Sequence, residues 1–171
     1  MPMTRRISRP IAVLALVLAA PAAASAATVT AGTTAAQAQS MEITRAEDRA
    51  GRVGSAETFT GTAYVAPVFP PEMNEVSAGE VTFLPGARSA WHTHPAGQML
   101  VVTKGTGWVQ ERGQAKQVMQ AGDVVWCPPG VEHWHGATDK TAVTHYAIQG
   151  MVDGAAVAWG DKVSDAEYTG E

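Results

Sequence analysis

From Met41 onward, apolar and polar residues alternate in short runs, each cut off by glycine or proline. A period of two sends successive side chains to opposite faces of a strand. The runs 58–65, 80–84, 99–103, 107–111, 124–126 and 142–148 fit this period and predict strands. Turn signals separate them at Pro85-Gly86, Lys104-Gly105, Arg112-Gly113, Ala121-Gly122 and Pro128-Pro129-Gly130. No central segment holds a helical period, so the pattern predicts an all-β sandwich or barrel built from residues 41–171 as one domain. The polar tail 161–171 predicts one short helix.

Upstream the pattern changes. Arg5, Arg6 and Arg9 precede an apolar run over 11–20, and Ala24-Ser25-Ala26 follows. This order predicts an export signal over 1–26, cleaved before Ala27, and a periplasmic or secreted product. The apolar run is about half of what spans a bilayer, so no stable membrane insertion is expected after cleavage. The paired Arg5-Arg6 points to a twin-arginine route, although Ser8 and Arg9 stand where such signals favour apolar residues. Residues 27–40 are mostly Ala, Thr, Gln and Ser, too little apolar surface to offset ordering, and predict a flexible leader.

Charge and cysteine narrow the function classes. Removing 1–26 takes away three arginines and moves the formal charge from −4 to −7. An acidic surface repels phosphate backbones, which argues against a nucleic-acid partner; the small-molecule substrate expected instead rests on the histidines below. The single cysteine, Cys127, excludes an intrachain disulfide, and its place beside Pro128 predicts a small buried hydrophobe.

All five histidines fall between 92 and 145, as the pairs His92/His94 and His133/His135 and the single His145. Each H-x-H pair puts both imidazoles on one strand face, and two such strands can converge on a metal ion. After the Pro95-Ala96-Gly97 turn, Gln98 opens the next strand and offers an amide oxygen. His92, His94, Gln98 and His133 then form a ligand set suited to Mn, Fe, Co, Ni or Zn, with positions left open for substrate or water. Two alternatives stand beside it: Gln98 behind the ligands instead of on the metal, or His135 as a ligand in its place. Otherwise His135 and His145 are free for acid and base work, since imidazole titrates near neutrality. Gly79, Val81 and Gln149, small or polar, are expected to line the cavity. Trp91, Trp126 and Trp134 alternate away from the metal, towards an outer sheet or an oligomer interface. Met99, Met119 and Met151 follow no common period and read as core filling.

Two spaced motifs carry a resemblance. Gly86, His92-Thr93-His94, Gln98 and Gly105, then Gly122, Pro128, Gly130 and His133 after a 16-residue connection, resemble the two signature motifs of the cupin superfamily. That resemblance implies a single-domain double-stranded β-helix, or jelly-roll barrel. The family usually has Glu where Gln98 stands and often Asn where Ala137 stands. Amide for carboxylate leaves the site about one unit more positive, which favours an anionic bound oxygen.

The blocks VTFLPGARSAWHTHPAGQ, GDVVW, GVEHWHGA and THYAIQ further resemble the small bacterial cupins that act as manganese-dependent (R)-selective hydroxynitrile lyases. This implies Mn²⁺ on His92, His94, Gln98 and His133, acid–base roles for His135 and His145, and cyanohydrin cleavage or synthesis. The other readings are a dioxygenase-type cupin and a non-catalytic periplasmic metal- or ligand-binding cupin. A homo-oligomer is expected, because barrels of this size often cover an edge strand or outer sheet with a twofold mate.

Overall fold

The computed structural model describes residues 41, 43–68 and 75–171. The expected signal and leader, 1–26 and 27–40, lie outside the described residues. Met41–Glu171 forms one compact unit, made of strands β1 Arg52–Val53, β2 Phe59–Thr60, β3 Ala63–Pro67, β4 Val76–Phe83, β5 Arg88–Ser89 and β6 His92–Thr93. There follow β7 Gln98–Glu111, β8 Gln117–Gln120, β9 Val124–Cys127, β10 His133–Ala137, β11 Val143–Gly150, β12 Ala158–Trp159 and the helix α1 Asp165–Thr169. One 3-10 turn, Ala46–Asp48, precedes them. The fold is all-β, as the alternation predicts. Among the described residues no helix is long and apolar enough to cross a membrane.

The sheet runs β1-β3-β4-β11-β7-β10-β5-β2, with β6, β8, β9 and β12 attached at its sides. β7 holds the curled sheet together. Its first half pairs with β11 and β9, and its second half with β10 and β8. The turn expected at Lys104-Gly105 is a bend inside this single strand. Gly105 sits at φ 73°, where a Cβ would stand 2.0 Å from the carbonyl oxygen of Ala142, so only glycine lets β7 bend there. The opposite error occurs at 58–65, where Gly61 at φ 73° divides one expected strand into β2 and β3.

The inward face buries Ala63, Val81, Phe83, Leu100, Val102 and Val143. Met119 belongs to this core, but Met99 is 39% exposed and does not. A second cluster lies against the other side of the sheet, where Trp91 and Trp134 pack on Val163 and Tyr168. This explains their alternation away from the histidines: the C-terminal segment covers them. Trp126, in contrast, is 56% exposed. The covering segment is tied down by Arg88, which donates to the Val163 carbonyl at 2.9 Å and pairs with Asp165. Tyr168 donates to the Ala137 carbonyl at 3.0 Å, and Ser164 with Glu167 forms a capping box at the start of α1.

Candidate metal centre

β6 and β10 lie antiparallel with His92 opposite His133, and their ring centroids are 4.4 Å apart. His135 is two residues along β10 on the same face, its ring 5.2 Å from His92. Beyond β6 the chain turns through residues 95–97 and enters β7 at Gln98. His94 stands just before that turn, its ring 5.0 Å from His92 and 5.6 Å from His133. Four imidazoles and one amide therefore share one end of the barrel.

Backbone carbonyls fix three of these rings. His92 Nδ1 donates to Ala90 at 2.9 Å, His133 Nδ1 to Val131 at 2.9 Å, and His94 Nδ1 to Ala156 at 2.6 Å. Once Nδ1 carries the proton, Nε2 of a neutral ring keeps a free lone pair, which is how metal-binding histidines are usually held. The amide is fixed in the same way: Gln98 Nε2 donates to Gln149 at 3.1 Å, and Gln149 Nε2 to Ser77 at 3.1 Å. Gln98 Oε1 then stands 3.1 Å from His133 Nε2.

With Nδ1 as the donor, that contact sets two lone pairs face to face. Such a pair repels unless a cation lies between them, and neighbouring ligands of one divalent ion stand about 3 Å apart when each is about 2.1 Å from it. His94 Nε2 is buried with no partner among the described residues. Both observations fit a divalent metal. His92, His133 and His135 also offer ring nitrogens within 4.8 Å of one another, so the alternative with His135 as a ligand has a nitrogen within reach.

His135 differs from the other three in what holds it. Its Nδ1 lies 3.1 Å from His145 Nε2, so one imidazole orients the other. Phe83 backs both rings at 5.7 and 5.8 Å. A cavity of about 260 Å³ opens beside the cluster, lined by His92, His94, Gln98 and His135. Gly79, Val81 and Gln149 line it too. His145 does not, being fully buried behind His135. It reaches the cavity only through the other ring.

Phe59, Val157 and Trp159 also line the cavity, although nothing in the strand periodicity marks them. The same holds for the Ala156 carbonyl that orients His94. These come from β2 and from the irregular segment around β12, short pieces that show no periodicity, and a backbone carbonyl leaves no mark in a sequence.

A model of the cupin domain matches residues 79–148. The (R)-mandelonitrile lyase of Granulicella tundricola is 51% identical over 129 residues, covering 75% of this chain and 98% of that protein. The chain belongs to the cupin family. Among solved structures, a cupin-like protein from Thermotoga maritima is 40% identical with a TM-score of 0.68, over 71% of this chain and 92% of that one. A polyketide cyclase from Streptomyces resistomycificus shares the fold at a TM-score of 0.60 and 12% identity, over 75% and 91% of the two chains.

The histidines of this cupin are neutral at pH 7. Burial pushes His92 down to about 3, helped by the nearby His133, and pushes His145 down to about 4. His94 and His133 are lowered mainly by burial, and His135 well below the usual range by burial and then by His145. Neutral imidazoles bind metal without first losing a proton.

Stability should follow the same shifts. An unfolded histidine protonates near pH 6.5, whereas folded His145 does so near 4 and His92 near 3. Below pH 6.5 the unfolded chain therefore holds more protons and the fold weakens; above it the histidines contribute no slope. The metal-free protein should show a nearly constant Tm from pH 9 to 7 and a steep fall from 6.5 to 4. A Tm unchanged between pH 7 and 4.5 would contradict the buried neutral cluster.

Proposed function

We propose that this cupin is a metal-dependent lyase that cleaves and forms cyanohydrins. The observation that carries the reading is the His135–His145 pair, 3.1 Å apart and buried beside the ligand cluster, with His135 facing the cavity. A simple metal container does not require that pair. The 51% identity to an (R)-mandelonitrile lyase supports the same reaction class.

His92, His94, His133 and the Gln98 oxygen would hold the ion, Mn²⁺ in this proposal, and when bound it supplies Lewis-acid stabilisation of negative charge on the substrate oxygen. The substrate hydroxyl faces His135. With His135 Nδ1–H donating to His145, His135 Nε2 is free to take the hydroxyl proton as the carbon–carbon bond to cyanide breaks. The carbonyl of the aldehyde forms, and cyanide leaves with the proton that His135 took. His145 accepts the hydrogen bond throughout and so stabilises the charged ring. Addition of cyanide to an aldehyde runs the same steps backwards.

The test combines metal analysis of protein purified without added metal with mandelonitrile cleavage before and after chelation. Cleavage should disappear on chelation and return with manganese. A retained metal with no cleavage would overturn the proposal, and oxygen uptake without cyanide release would favour a dioxygenase-type cupin.

We also propose that the protein is a homo-oligomer. Met99 and Trp126 are register partners on β7 and β9, and Ile148 of β11 lies on the other side of Met99. Met99, Val124 and Trp126 are 39, 62 and 56% exposed. A second copy offers the same apolar strip, which suits a twofold contact. Light scattering of residues 27–171 should give at least twice the monomer mass, and Trp126→Glu should reduce it.

A further inference from the structure

We propose that Trp159 selects substrates bearing an aryl group, which refines the cyanohydrin-lyase reading and rests on it for the reaction alone. β12 pairs antiparallel with β6 so that Trp159 stands opposite His92. Directly opposed residues share a face, so the indole is carried to the same side as the metal ligand. Its ring centroid is 4.8 Å from His92, tilted by 44°.

Phe59 meets Trp159 edge-on at 6.0 Å and 63°. Phe83 backs Phe59 at 5.8 Å, and Gly54 lies so close to the ring that a Cβ there would be 2.5 Å from it. Phe59 is thus fixed, and Trp159 and Phe59 form an aromatic corner on the cavity wall. Gly79, Val81 and Ala147 line the same cavity. A cavity of about 260 Å³ suits one ring with a short polar head.

Trp159 is held firmly enough to discriminate. On one side the Gly160 N–H donates to Trp91 at 2.8 Å and the Trp91 N–H to Asp161 at 2.9 Å; on the other the Ala156 carbonyl accepts from His94. Trp159 is 44% exposed, whereas Trp91 and Trp134 are 2 and 0% exposed. Aryl rings stack preferentially on such a face, and an alkyl chain gains only the contact area. With the polar head at the ligand cluster, the aryl group of the substrate lies against Trp159.

The test is calorimetric binding of two unreactive alcohols, benzyl alcohol and isobutanol, to the metal-loaded protein, with metal content measured on each variant. The wild type should prefer benzyl alcohol about tenfold. Trp159→Leu should bring the two affinities within about twofold at unchanged metal content, and Trp159→Phe should restore most of the preference. No aryl preference in the wild type, an unchanged preference in Trp159→Leu, or equal loss of both ligands together with the metal would each overturn the assignment. Because neither alcohol is cleaved, a collapsed preference in a protein that does not cleave mandelonitrile would keep Trp159 and reject the lyase.

Discussion

His135→Ala in the metal-loaded protein is expected to lower mandelonitrile cleavage by about 10²–10⁴-fold, the range lost with a positioned acid–base group. The expectation rests on a difference between the imidazoles. His92, His94 and His133 each give Nδ1–H to a backbone carbonyl, which fixes one tautomer and commits Nε2 to a ligand's task. His135 is held by His145 instead, its Nδ1–H donating to His145 Nε2. Its Nε2 presents a lone pair to the cavity, and an N–H once it has taken the hydroxyl proton, so the ring acts first as base and then as acid without moving a heavy atom.

His145→Leu should cost less, about 10–100-fold, because His135 keeps its place on β10 and loses only its partner. Both variants should keep their metal. If His135→Ala empties the centre, then His135 is a ligand in place of Gln98, an arrangement its nitrogen is near enough to adopt. Unchanged rates in both variants at full metal content would remove the pair from the mechanism.

Much of this centre could be read from the sequence, because strand periodicity is a local property. His92 and His133 face each other across β6 and β10, and alternation also predicted the sides taken by Trp91 and Trp134. Depth is another matter. Whether a residue on the inner face reaches the cavity depends on what stands in front of it, and His135 stands in front of His145. Glycine was likewise ambiguous: the same positive φ ends a strand at Gly61 and bends one at Gly105. At Gly105 the difference is long-range pairing, since β11 holds β7 up to Gly105 and β10 holds it from Gly107 onward. The least legible parts are those brought by the C-terminal segment, the Ala156 carbonyl and the Trp159 ring, which are distant in sequence and belong to no periodic run.

His133→Ala tests the centre from the ligand side. The substitution removes a buried nitrogen that faces Gln98 Oε1 at 3.1 Å, and the remaining donors no longer surround one point. Metal affinity should fall by at least about 10³-fold, cleavage should fall with it, and the stabilisation that added manganese gives the wild type should vanish, since a ligand stabilises a fold only while it binds the native state. Gln98→Glu is the informative contrast. A carboxylate in that place should bind a divalent cation more tightly than the amide, so metal should be retained and the manganese-dependent rise in Tm enlarged. The same charge lowers the positive potential felt by the substrate oxygen, so cleavage should drop by about 10–100-fold even with the metal in place. Opposite changes in affinity and rate at one position would put Gln98 on the metal. If Gln98→Glu left both unchanged, the amide would lie behind the ligands, with its hydrogen bond to Gln149 as its contribution.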